Sequence, residues 1–307
     1  MIKFFKLTFF CLIIFLPLKA FESFIVVKVN DEIITNIDLD MQYKYLIILN
    51  KEIRNMDKEI QLKLAKESII REKIKINELV KYYTLDSSQK YLDVVVEDFY
   101  KRLDIENLED FKNYLSEYNL DIETIRSKGQ VEILWNQLIG SKYKDQLNIN
   151  ENILKQQIEK NNNNGIITQY ELAEIIFQIN NKNDLNDKKD LIQTDILEKG
   201  FENAANIHSI AESSKFGGDI GWIDEQQLSV KINETIKELK INDISKPIKI
   251  PNGFLILKIK NKRQEKIELD KKKLLDEAIV FETNRQYKQF SIIYFNKIKL
   301  NSIISEE

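Results

Sequence analysis

A polar run that ends in glycine, Asn161, Asn162, Asn163, Asn164 and Gly165, interrupts the chain, and the apolar residues recur with different periods on its two sides. Such a run has no side chains to contribute to a core, so residues 161–165 read as a linker. With 307 residues, the chain has room for two units of ordinary size on either side of it.

Upstream of the linker the period is mostly helical. Residues 24–30 are rich in β-branched side chains and stop at Asn30 and Asp31, a turn signal, before Ile33 and Ile34, which predicts a strand and a turn. Thr35 stands three residues ahead of Asp38, the spacing at which a hydroxyl and a carboxylate each satisfy a free N–H at a helix start, so a helix should run to about Leu49. Residues 58–83 place Ile76, Leu79, Val80 and Tyr83 on one helical face, and Leu108, Phe111, Leu115 and Tyr118 repeat that spacing. Further helices are expected over 88–103, 122–143, which carries Trp135, and 150–160.

Downstream, 170–179 is a dense apolar run of strand length, 184–199 is a charged helix closed by Gly200, and helices are expected over 201–208 and 233–239. Strands are predicted over 246–250 and 253–259, around the turn residues Pro251, Asn252 and Gly253. The order β-α-α-α-β-β describes a small α+β unit. The tail contains a helix with Leu274, Leu275, Ala278, Phe281 and Tyr287, followed over 297–304 by a strand-like alternation. It is too small to fold alone, and the strand at 24–30 lacks a partner, so the C-terminus is expected to close a discontinuous first unit.

The first residues carry Lys3 and Lys6, an apolar run over 7–16, then Pro17 and a small residue at Ala20. This is the layout of a secretory signal peptide cleaved after Ala20. An uncleaved anchor is the alternative, although the apolar run is shorter than the ~20 residues of a bilayer span. Cys11 is the single cysteine, so removal of residues 1–20 excludes disulfides, thiolate nucleophiles and cysteine metal sites. The leader's three lysines are its only charges, and losing them moves the net charge from −3 to −6. An acidic chain with interspersed signs argues against nucleic-acid binding. No motif calls for a metal or other cofactor, and Gly217, Gly218 and Gly221 lack the spacing of a nucleotide loop.

The most specific string is Gly217, Gly218, Asp219, Ile220, Gly221, Trp222, followed by Leu228 and Ile232, then Ile241, Asn242, Asp243, Ile244, Ser245, Lys246, Pro247 and Ile248, and finally Asn252 to Ile259. These separated blocks, over about ninety residues from Gln169 to Arg263, closely resemble the parvulin rotamases. Val26 to Thr35 resembles the start of SurA-type periplasmic chaperones, and Ile149 to Ile153 resembles their lead-in to the rotamase domain. The resemblance implies a mostly α, SurA-like peptide-binding domain over 21–160, completed by a C-terminal helix and strand over 265–307. An α+β parvulin domain with an antiparallel sheet would occupy 166–264. One rotamase domain is present where longer family members have two.

Active parvulins twist the X-Pro amide, whose rotation barrier is ~18–20 kcal/mol, beside a cluster of two histidines and a Cys or Asp. The resemblance carries those positions to Glu174, to Ala211 within about a residue, and to Leu255, and none holds the expected side chain. His208 is the only histidine, and its ordinary reading is a surface or half-buried imidazole. Leu228, Ile232 and Ile236 stand where the family grips proline, with Trp222 and Phe254 as further peptide-pocket candidates, although aliphatics at helical spacing also fit plain core. The function implied is a monomeric periplasmic chaperone for unfolded outer-membrane β-barrel proteins and other extended polypeptides, with low or no isomerase activity. The alternative is an active prolyl isomerase, soluble or membrane-tethered.

Overall fold

The computed structural model describes residues 23–161, 166–179, 184–251, 253–266 and 271–306. The leader expected at 1–20 and most of the linker lie outside the described residues. Strand β1 (Ile25–Val29) turns through Asn30, at φ +54°, into β2 (Glu32–Thr35). Thr35 then caps α1 (Asn36–Leu49): its Oγ1 accepts from the Asp38 N–H, and Asp38 Oδ2 accepts from the Thr35 N–H at 2.8 Å. The expected reciprocal cap is present. Asn50 ends α1 and starts the short α2 (Lys51–Arg54), accepting from the Glu52 N–H at 2.9 Å. The remaining helices of this half are α3 (Lys58–Leu79), α4 (Leu92–Arg102), α5 (Leu108–Glu117), α6 (Ile122–Tyr143) and α7 (Glu151–Asn161).

Two apolar clusters hold this half together. Leu46 and Ile48 of α1 pack with Val96, Phe111, Leu115 and Ile125. Val27 and Ile34 of the hairpin pack with Ile69, Leu79, Trp135 and Leu138, and the same cluster takes in Tyr294 and Phe295 of α11 (Lys271–Leu300). After α11 the chain forms β7 (Ile304–Glu306), which pairs antiparallel with β1 from Val29↔Ile304 to Val27↔Glu306. The sheet order is β2-β1-β7, so the mostly helical half is completed by the C-terminal helix and strand.

In the second half, β3 (Ile166–Phe177), α8 (Asp184–Lys199), α9 (Phe201–His208), β4 (Asp219–Asp224), α10 (Val230–Ile236), β5 (Ile248–Ile250) and β6 (Gly253–Lys266) form an α+β unit. Its antiparallel sheet has the order β4-β3-β6-β5. Alternation along β3 divides the two faces. Tyr170 and Leu172 pack with Leu228, Ile236, Leu255 and Leu257 on one face. Ala173, Ile175 and Phe177 pack under Ile192 of α8 and Phe201, Ala204 and Ala205 of α9 on the other.

The structure corrects several expectations. β4 does not appear in the order β-α-α-α-β-β because Gly217, Gly218 and Gly221, all at positive φ, depress strand propensity, and the strand exists through its pairing with β3. The alternation over 297–304 is helical through Leu300, since Tyr287, Phe290, Tyr294 and Ile298 all pack on the core around Trp135 at helical spacing. The helix expected at 233–239 begins earlier, at Val230, because the Ser229 hydroxyl caps it by accepting from the Ile232 N–H. The helix expected from 88 starts at Leu92, and α3 ends at Leu79, which leaves Val80 exposed.

Candidate functional site

The positions to which the resemblance carries the catalytic residues, Glu174, Ala211 and Leu255, lie on or beside one face of the second sheet. Glu174 alternates with Leu172 and Ile176 and therefore points to the Leu228 side of β3, where Leu257 is its cross-strand neighbour on β6. Leu255, opposite Ile176, is buried in the same cluster. Ala211 is buried in the loop between α9 and β4, and that loop sends Ser213 back to Glu174, its hydroxyl donating to Oε1 at 2.9 Å. Gly218 lets the loop lie this close: the Glu174 N–H donates to the Gly218 carbonyl at 2.7 Å, and a Cβ on Gly218 would meet the Glu174 carbonyl oxygen at 2.3 Å. Gly253 is constrained likewise, since a Cβ there would fall 2.2 Å from the Phe177 carbonyl oxygen. Gly218 and Gly253 thus allow close backbone approach to β3, whereas a Cβ on Gly217 would meet Glu202 of α9 and one on Gly221 would meet nothing.

Burial pushes the Glu174 carboxyl up, and the Ser213 hydroxyl and the charge of Lys288 on α11 relieve this only in part. An acid raised in the folded state costs stability above its unfolded pKa, and that cost is relieved as the pH falls. Glu174→Gln, which keeps an acceptor for Ser213, is therefore expected to raise the thermal midpoint at pH 7. The gain should shrink as the pH is lowered toward the ordinary carboxylate value of 4.5. Calorimetry across that range checks it, and an unchanged midpoint at pH 7 would mean that the carboxylate is well solvated.

His208 is distant from this chemistry. It ends α9, on the helix pair that covers the opposite face, with its side chain 6% exposed and Nε2 2.6 Å from Asp195 Oδ2. Burial, with the charges of Lys188 and Lys199, lowers its pKa despite the opposing pull of Asp195. Of the pocket candidates, the structure gathers Leu228, Ile236 and, at their edge, Ile232 with Leu255. Phe254 belongs to the other face, stacked on Phe177 at 5.6 Å, and Trp222 is 38% exposed beneath the Arg263 guanidinium at 4.3 Å.

The loop carrying Ala211 is also fixed to the helical half. Lys75 of α3, 1% exposed, places Nζ 2.8 Å from Glu132 of α6 and 2.8 Å from Glu212 of the loop, and Lys215 bridges the same two carboxylates at 3.0 Å. Asn50 donates to Asn206 Oδ1 and to the Lys215 carbonyl, both at 3.1 Å. A cleft beside this network is lined by Leu46, Ile53 and Leu64 on one side and by Ile207 and Ser209 on the other. Sequence patterns do not reveal this junction, because its charges come from three separate segments, α3, α6 and the Ala211 loop. Among the described residues, no group of three or more His, Cys, Asp or Glu is placed to hold a metal ion, and no helix is long and apolar enough to cross a membrane.

Residues 172–261 match the model of the rotamase family, the PPIC-type PPIASE domain. The match lies within the α+β half of the chain, from β3 to β6. The chain is 26% identical to the chaperone SurA of Nitrosococcus oceani over 169 residues, 52% of this chain and 39% of that protein. It is 22% identical to the chaperone SurA of Chromohalobacter salexigens over 170 residues, 53% of this chain and 39% of that one. The chain thus spans well under half the length of these relatives. Among solved structures, one reported with the SurA-like chaperones PEB4 and Cj1289 of Campylobacter jejuni is 18% identical, with a TM-score of 0.36, covering 92% of this chain and 98% of that one.

Proposed function

We propose that this protein is a periplasmic chaperone that binds unfolded outer-membrane proteins and assists their folding and assembly, with a rotamase domain of low or no catalytic activity. One observation carries the catalytic part: the family's polar positions hold Glu174, Ala211 and Leu255, and the single histidine is tied to Asp195 on the far side of the sheet. The polar pair left beside the apolar cluster is Ser213 and Glu174, whose hydrogen bond to each other uses the hydroxyl proton, and the family's histidines and Cys or Asp that would favour the twisted amide over the planar one are missing. The periplasmic setting is supported by the leader-like residues 1–20 and by the SurA relatives. Barrel precursors suit such a chaperone, since their alternating strands have unpaired edges until the barrel closes.

The test is a protease-free assay of cis-trans exchange on proline tetrapeptides, run beside suppression of aggregation of an unfolded barrel protein. Suppressed aggregation with no rate enhancement is the expected result. Clear catalysis would overturn the inactive site, and unchanged aggregation would overturn the chaperone.

A further inference from the structure

Helix α11 serves two partners. One side of it, with Phe290, Tyr294 and Phe295, completes the core around Trp135. The other side follows β3. Leu274 and Ala278 pack with Ile167 near the start of the strand, and Phe281 packs on the cluster of Tyr170, Leu172, Leu228 and Leu255. Asn296 donates to the Gln178 side chain at 3.1 Å just past the strand's end. From 281 to 296 a helix rises ~22 Å, and from 170 to 178 a strand advances ~26 Å, so the two run side by side. Lys288, between those anchors, is near enough for its charge to act on Glu174.

We propose that α11 is an internal occupant of the rotamase face: Phe281 sits on the apolar cluster where the family resemblance places the grip on proline, and aromatic- or proline-containing polypeptide reaches that cluster only when α11 lifts away. A phenyl ring is flat, apolar and well suited to such a surface. β6 ends at Lys266 and α11 begins at Lys271, so the helix is tethered and competes at an effective concentration in the millimolar range. The Ala211 loop is pinned by the Lys75 and Lys215 network at the same time. All three family positions therefore face parts of the protein's own chain.

The proposal rests on the reading of the chain as a polypeptide-binding chaperone, and its test separates the two. A fluorescein-labelled Ala-Phe-Pro-Phe peptide is titrated into the full chain, its Phe281→Ala variant, and a Gln178→Cys, Asn296→Cys variant in a Cys11→Ser background, with and without a short bis-maleimide cross-link. Phe281→Ala is expected to bind about fivefold tighter than the parent, a share of what a fully buried apolar side chain contributes, since Phe281 is half-buried. Amide protection should appear at Leu172 and Leu255. The cross-linked form should lose binding relative to the same protein uncross-linked, a comparison that stands even if Phe281→Ala fails to fold. Equal affinity with and without the cross-link, or protection confined to the helical half, would overturn the internal occupant. Failure of every form to suppress aggregation would instead overturn the chaperone reading.

Discussion

Lys75→Met is expected to lower the free energy of unfolding by about 2–4 kcal/mol, seen as a fall in the urea midpoint at unchanged slope. Methionine keeps the unbranched stem and removes the charge. The Lys75 ammonium is buried, 2.8 Å from both Glu132 and Glu212 and 5.4 Å over the Trp135 ring. Without it, two carboxylates share Lys215 alone. Breaking a buried pair costs ~3–5 kcal/mol, but the Glu132 and Glu212 side chains remain 39% and 44% exposed, so water takes part of the load and the lower range applies.

The pH dependence has a definite sign. Burial pushes the Glu212 carboxyl up, and Lys215, Lys75 and Arg71 more than reverse this, holding it well below the usual range. Glu132 is likewise lowered: burial and Glu212 push it up, and Lys215 and Lys75 win. Carboxylates depressed in the folded state stabilise it fully above the unfolded value, ordinarily 4.5, and lose that contribution as the pH falls through the folded values. The gap between Lys75→Met and the parent should therefore be widest near neutrality and close below pH 4.5. A gap that persists at lower pH would assign the loss to packing on Trp135.

What the sequence reveals follows the range of the interactions involved. The Thr35 cap needs only a residue three positions away, and the end of α8 needs only Gly200 at φ +87°, so both could be read directly. The partnership of the first and last strands was legible because each end of the chain lacked a partner. β4 was hidden by Gly221 within it and by the two glycines just before it, of which Gly218 is required by the Glu174 and Ala205 atoms that a Cβ there would strike. The junction network was hidden for a different reason. Lys75 is 57 residues from Glu132 and 137 from Glu212, and in a chain with 31% charged residues nothing local distinguishes them. For the site, resemblance pointed to Glu174, Ala211 and Leu255, which the structure puts on or beside one face of the second sheet. It could not indicate that Phe281, which looks like any helical core residue, meets the same cluster.

Trp135→Ala is expected to cost about 3–5 kcal/mol, and the loss should be local in its first effect. The indole is 1% exposed, its Nε1–H donates to Ser291 Oγ at 2.8 Å, and its ring lies 5.7 Å from Tyr294 and 6.4 Å from Phe295. Every one of those partners belongs to α11, so the substitution leaves a cavity between α6 and the helix that carries β7 back to β1. The rotamase sheet has its own cores on both faces, built mainly from its own strands and helices. Amide exchange should therefore accelerate first at Asn30, whose N–H donates to the Ile303 carbonyl, while the Glu174 and Ile176 amides keep their protection. Simultaneous loss at both places would mean that the halves unfold as one cooperative unit. Coupling would then run through α11, which fills the cavity's far wall and lies along β3, together with the Lys75 and Lys215 network that joins the same two halves.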